Sequence, residues 1–153
     1  MKGKILYAEY DKDTGISTVT KQTKYGTFTK SVRVHSDDFD IANPYDGCHF
    51  AELKCDIAAY KERAKMMRER AKGIVHAYNV AVQADIQAGF LSQESIENSY
   101  WLIARQAEIA QHNADQAYET YKILKDSYTA LVDTTLRQRR EIRKRIEKKY
   151  KNK

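Results

Sequence analysis

Two hydrophobic rhythms divide the chain. The first has a period of two: Ile5, Tyr7 and Glu9 alternate with Leu6, Ala8 and Tyr10, and Asp11-Lys12-Asp13-Thr14-Gly15 then supplies turn chemistry before Ile16-Ser17-Thr18-Val19-Thr20. Lys24-Tyr25-Gly26 makes a second tight turn. After it Phe28, Val32 and Val34 alternate with Thr27, Thr29, Ser31, Arg33 and His35, and Lys30 interrupts the apolar set. This pattern predicts a three-stranded antiparallel meander within residues 1–36. So small a sheet is marginal alone, so one face must lie against helices or another subunit.

The second rhythm has a period of seven. Asn43-Pro44-Tyr45-Asp46-Gly47 reads as a helix start, with Asn43 before the proline and Asp46 as a second candidate cap. Phe50, Leu53, Ile57, Tyr60, Ala64, Met67, Ala71, Ile74, Tyr78 and Ala81 then keep a coiled-coil spacing to Gly89, which predicts a helix over 43–89. Ser92 can cap the next helix. Its seam reads Ile96, Tyr100, Ile103, Ala107, Ala110, Ala114, Ala117, Tyr121, Leu124, Tyr128 and Leu131, predicting one helix over 92–150. The expected fold is therefore α+β: a β-meander followed by a long antiparallel helical hairpin in a single domain, 1–153. If the turn lies near residue 90, Phe50 falls opposite about 130. The rest of helix two then overhangs, with Leu136, Ile142 and Ile146 needing the sheet or a second subunit to cover them. A homo-oligomer, at least a dimer, is the expectation.

Composition agrees with helix: the 153 residues are 42% hydrophobic and 31% charged, with six glycines and one proline. No apolar run approaches the roughly 18 residues of a membrane span, and Met1-Lys2-Gly3-Lys4 leads straight into strand pattern, so a soluble intracellular protein is expected. Cys48 and Cys55 on one helix would stand about 10 Å apart, too far for a disulfide, and read as buried small residues. His35, His49, His76 and His112 match no metal-ligand spacing, so neither metal nor cofactor is expected.

Charge is uneven along the chain. Between Arg137 and Lys153 ten basic residues face two acidic ones, a local +8 within a total of +6, which leaves −2 for the first 136 residues. The block points to an anionic partner, and Arg137, Arg140 and Arg143 are its candidate contacts. A solvated helix end favourable to the macrodipole accounts for it equally simply. No catalytic motif is present, so the chain reads as a binding protein and not an enzyme. Asp37, Asp38 and Asp40 could serve acid/base or metal chemistry, although an acidic loop before a helix needs no such role. Tyr100 and Trp101 are adjacent, so both cannot face one seam. With Phe90, Asn98, Arg105 and Asn113 they offer the aromatic, guanidinium and amide groups that stack on a base and hold phosphate or ribose.

The stretches Ile5-Leu6-Tyr7-Ala8-Glu9-Tyr10-Asp11-Lys12-Asp13-Thr14-Gly15, Thr23-Lys24-Tyr25-Gly26-Thr27-Phe28-Thr29, Asp40-Ile41-Ala42-Asn43 and Tyr45-Asp46-Gly47-Cys48-His49-Phe50-Ala51-Glu52-Leu53-Lys54 resemble small phage proteins of the Thoeris anti-defence family. The likeness covers about the first 55 residues, and the remainder only in architecture. It implies a homo-oligomeric sponge in the host bacterial cytoplasm that binds, without cleaving, a cyclic ADP-ribose isomer made by a TIR-domain sensor. Some relatives are thought to capture cyclic oligonucleotides as well. No pocket residue carries over, because the helical part does not align residue by residue. The alternative is a nucleic-acid-binding or anti-CRISPR-like inhibitor using the basic C-terminal helix.

Overall fold

The computed structural model describes residues 1–34, 38, 41, 43–89 and 93–151, with the backbone alone for 93–99. Strands β1 (Gly3–Asp11), β2 (Ile16–Thr23) and β3 (Gly26–Arg33) form an antiparallel sheet in the order β1-β2-β3, followed by helices α1 (Pro44–Gln87) and α2 (Gln93–Lys151). The α+β class, the meander and the two long helices agree with the sequence pattern. Ser92, the expected cap of the second helix, lies outside the described residues. The chain divides into two compact units, one of residues 1–59 with 122–153 and one of residues 60–121.

In the first unit the hairpin turns follow from local chemistry. The Asp11 carboxylate accepts the Asp13 amide at 2.8 Å and the Thr14 hydroxyl at 2.6 Å, and Gly15 takes the left-handed φ of 65° that closes the turn. Hydrogen bonding from Thr14 and Asp13 holds the Asp11 carboxyl below the usual carboxylate range. On β2, Ser17, Val19 and Lys21 alternate as buried positions with half-buried Thr18 and Thr20. Their partners across the sheet include Val32, Lys30 and Phe28. The opposite face carries hydroxyl pairs, Thr18 with Ser31 and Thr20 with Thr29, each at 2.8 Å.

Helix α1 begins as the sequence predicts: Asn43 Oδ1 accepts the Tyr45 amide at 3.0 Å. Asp46 is paired with Arg139 instead of capping. Beyond this start the helix uses two faces. Ala51, Cys55 and Ala59 are fully buried, and Ala51 and Cys55 pack with Val19 of the sheet, against half-buried Cys48, Phe28 and Val32. The small side chains let the helix backbone lie close to the strands: the Cys55 thiol reaches the carbonyl oxygens of Phe28 and Val19 at 3.3 and 3.4 Å. Gly47 sits where a Cβ would meet the side chain of buried Ser17, at 3.0 Å from its Cβ. The other face turns Phe50 onto Tyr128 of α2, edge to face at 6.1 Å, which agrees with the antiparallel register expected.

Leu131 departs from expectation, since it is 41% exposed. Val132 is half-buried in its place, so the seam steps 124, 128, 132 in fours before continuing through Thr135, Leu136, Arg139 and Arg143. Two consecutive four-residue steps rotate the buried stripe away from a strict heptad. Leu136 is half-buried as expected of a covered overhang, whereas Ile142 and Ile146 stay exposed at 47% and 40%.

In the second unit the α1 seam Tyr60, Ala64, Met67, Ala71, Ile74, Tyr78 and Ala81 is buried or half-buried, as are Tyr100, Ile103, Ala107, Ala110, Ala114, Ala117 and Tyr121 of α2. Tyr78 meets Tyr100 edge to face at 6.0 Å, and the Arg68 guanidinium lies 4.1 Å from the centre of the Tyr118 ring. Gly89, at φ 70°, is the left-handed residue after the last turn of α1. Among the described residues no helix is long and apolar enough to cross a membrane.

Among the described residues of the first unit, three titrating groups bind their protons more tightly in the fold. Burial pushes the Cys55 thiol and the Tyr128 phenol up. Burial alone would lower Lys21, but its hydrogen bonds to Glu52 and Asp56 outweigh it and raise the ammonium above its ordinary value. Each contribution is complete below the unfolded-state value and disappears as pH rises through the raised folded value. The thermal midpoint is therefore expected to hold up to about pH 8.5, the ordinary thiol value, and to fall progressively beyond it as the thiol and then the phenol and ammonium deprotonate. Scanning calorimetry from pH 7 to 11 checks this. A Cys55→Ala variant should lose the earliest part of the decline.

Candidate functional site

The most chemically loaded concavity lies in the first unit. The stripe that α2 presents after Tyr128 meets the end of β3 and the first turns of α1. Together they enclose a cleft of about 470 Å³. Val32 and Val34 of the strand, Phe50 of α1, and Tyr128, Val132 and Leu136 of α2 form an apolar wall. Arg33, Arg139, Arg140 and Arg143 also line it, and among the described residues Asp38 is the one carboxylate of the lining. Val34 is fixed by its amide, which donates to the Gly15 carbonyl at 2.9 Å. The Tyr128 phenol is a hydrogen-bond donor at neutral pH like any tyrosine, and burial raises it further above its ordinary value.

Two of the guanidinium groups have carboxylates nearby. Arg139 Nη2 lies 3.6 Å from Asp46 Oδ2, and Arg143 Nη2 lies 3.6 Å from Asp38 Oδ1. Both separations exceed hydrogen-bonding distance, so these two carboxylate contacts are Coulombic. Arg139 is only 12% exposed, and one turn along the same helix face lies Arg143. Two forks spaced one helical turn apart suit an extended anion with several oxygens, and the wall suits an aromatic or aliphatic body. The volume is within the roughly 300–1,000 Å³ of small-molecule sites.

Of the residues expected from sequence, Arg140 and Arg143 line this cleft. Arg137, three residues before Arg140, is exposed and is not part of the lining. The remaining candidates belong to the second unit or outside the described set. Tyr100 is taken up by the seam: its hydroxyl donates to Asp85 and its ring packs on Tyr78. That bond to Asp85, reinforced by burial, raises the phenol above its ordinary value. Trp101 is 58% exposed and Arg105 is exposed on the same side of the helix, so the adjacent aromatics do face different surfaces. Asn113 lines a second, shallower hollow of about 380 Å³ with Met67, Arg70, Ile74, Gln106, Ile109 and Ala110. The side chain of Asn98, and all of Phe90, Asp37 and Asp40, lie outside what the structure describes.

Sequence reasoning missed Arg139, Arg33 and the apolar wall. A signal for Arg139 existed: continuing from Tyr128 in steps of four and three reaches Val132, Thr135, Leu136, Arg139 and Arg143. Nothing local tied Val32 and Arg33 to it. Among the described residues no group of three or more His, Cys, Asp or Glu is placed to hold a metal ion. No protein-family model, no curated protein and no solved structure matches this chain.

Proposed function

We propose that the protein captures a small nucleotide-like anion in the arginine-lined cleft of its first unit and holds it unchanged. The observation that carries this reading is the convergence of four arginines with the aromatic side chains of Phe50 and Tyr128 in one cleft. The basic segment from Arg137 to Arg145 contains no aromatic residue. A run of exposed arginines would suit a polymer, whereas guanidinium groups set beside an aromatic wall suit a compact ligand with a phosphate and a flat base. Arginine neither gives up nor takes a proton near neutral pH, so this lining binds and orients.

The resemblance to the Thoeris anti-defence proteins supplies the ligand: a cyclic ADP-ribose isomer made by a TIR-domain sensor, sequestered so that its effector stays off. Sequestration demands tight binding, since a signal is mostly captured only when the protein is in excess of it and above the dissociation constant. A nanomolar constant corresponds to about −12 kcal/mol.

The experiment incubates the protein with TIR-generated signal, washes it, denatures it by heat and identifies the released molecule by mass spectrometry. Signal activity should fall in proportion to protein added and return in full on heating. Arg139→Gln and Arg143→Gln should each weaken retention about 10- to 100-fold, the worth of one charge-assisted contact of about 1.5–3 kcal/mol, while Arg137→Gln leaves it unchanged. Loss of a large molar excess of signal, with no recovery on heating, would refute capture. Retention of nucleic acid that falls steeply with salt and depends on Arg137 would instead favour a polymer-binding arm.

A further inference from the structure

Strand β1 lies at the edge of the sheet, and Gly3 to Glu9 are exposed along it. Ile5, Leu6 and Tyr7 are 45%, 50% and 48% exposed, an apolar stretch on an edge whose outward backbone groups have no neighbouring strand among the described residues. Its charges are arranged antisymmetrically, with Lys2 and Lys4 before the apolar centre and Glu9 and Asp11 after it. If two copies of β1 ran antiparallel about an axis between Leu6 and Tyr7, Lys4 of each would face Glu9 of the other. Ile5 would face Ala8, and Gly3 would face Tyr10.

A regular strand could not adopt that register. Residues paired across an antiparallel ladder point to the same face, and alternation would put residues 4 and 9 on opposite faces. The observed strand is not regular, because its register against β2 shifts between Ile5 and Tyr7, leaving Leu6 as the extra residue of a bulge. The shift re-phases the two halves. Lys4 lies opposite Gln22 and Glu9 opposite Thr18, an even number of residues apart on β2 and so on one face. Ile5 and Ala8 lie opposite Lys21 and Val19, both on the buried face, and Gly3 and Tyr10 lie opposite Thr23 and Ser17 on that same face. Every pair the charge pattern calls for is matched in face by the bulge.

We propose that β1 pairs with β1 of a second copy of this chain, antiparallel and two-fold symmetric, with Lys4 facing Glu9, so that two three-stranded sheets join into one of six strands. A bulge and edge lysines ordinarily discourage such pairing. Here the bulge sets the one register in which each lysine meets a carboxylate. The self-complementarity of the charges selects a second copy over an unrelated strand.

Sedimentation equilibrium on the full chain tests the pairing. The wild type should dimerise. Lys4→Glu and Glu9→Lys should each raise the dimer dissociation constant about tenfold or more, because each places like charges opposite one another at both symmetric positions. The double variant restores the opposition with signs exchanged and should return to within about twofold of wild type. Mixing the two single variants is the sharper measurement: the Lys4→Glu copy carries two carboxylates and the Glu9→Lys copy two ammonium groups. Their heterodimer should form more tightly than either homodimer. That rescue also shows both variants to be folded. A monomeric wild type, a dimer indifferent to the single reversals, or a mixture that associates no better than its components overturns the proposal.

Discussion

Lys21→Ala is expected to destabilise the protein by about 3 kcal/mol, which for a chain of this size lowers the thermal midpoint by roughly 6–12 °C. The lysine is only 4% exposed, and its ammonium lies 2.7 Å from Glu52 Oε1 and 2.9 Å from Asp56 Oδ1. It ties the middle strand to the first turns of α1 through charge-assisted bonds in a poorly solvated place. Removing the cation leaves the Asp56 carboxylate, whose side chain is 15% exposed, with the terminal ammonium of Met1 at 3.2 Å as its remaining cation among the described residues. Glu52, at 32% exposure, can turn to water, which keeps the loss at the low end for a broken buried pair. Denaturation of Lys21→Ala, Asp56→Ala and the double variant checks the account. Each single change should cost more than half of what the two cost together, because one interaction is counted in both. Additive losses would mean that the two residues act separately.

Gly47→Ala is expected to cost about 2–3 kcal/mol, although alanine is the better helix former by about 1 kcal/mol. An added Cβ would overlap the Ser17 hydroxyl and come within 3.0 Å of the Ser17 Cβ. Ser17 is fully buried in the central strand, so relief requires the helix to lift from the sheet and loosen the contacts around Ala51 and Cys55. The same geometry predicts a partial rescue: Ser17→Gly with Gly47→Ala should be more stable than Gly47→Ala alone. Ser17→Ala by itself should be neutral or slightly stabilising, since its buried hydroxyl has no hydrogen-bond partner among the described residues. A Gly47→Ala variant as stable as wild type by urea titration would show that helix and strand are less closely packed than the distances state.

Both substitutions fall where sequence reading was weakest. Gly47 reads in sequence as part of a helix start, and Lys21 as a polar residue past the end of the predicted strand. Their importance comes from a helix laid across a strand, a relation between residues some 30 positions apart. The stripe Cys48, Ala51, Cys55 and Ala59 carries little hydrophobic signal because its members are small. Smallness is what lets α1 approach the sheet, so the positions that matter most for packing are the least conspicuous in sequence.

What the sequence by itself determined was local and periodic. Alternation over residues 5–34 and the glycine turns gave the meander. Seven-residue spacing marked both helices, and Asn43-Pro44, Gly89 and Ser92 placed three of their ends to within one or two residues. These patterns are legible because they reflect which face of a single element is buried, and every element here is long enough to show its period. The cleft belongs to the tertiary structure. Arg139 and Arg143 gain a role only because the seam of α2 steps by fours after Leu124, which turns them toward β3. Val32, Val34 and Phe50 come from segments some 80 or more residues away in the chain. Tyr100, by contrast, held every local attribute of a ligand contact and is occupied by Asp85 and Tyr78. A side chain's partners are fixed by the packing of whole elements, and periodicity carries no information about which elements meet.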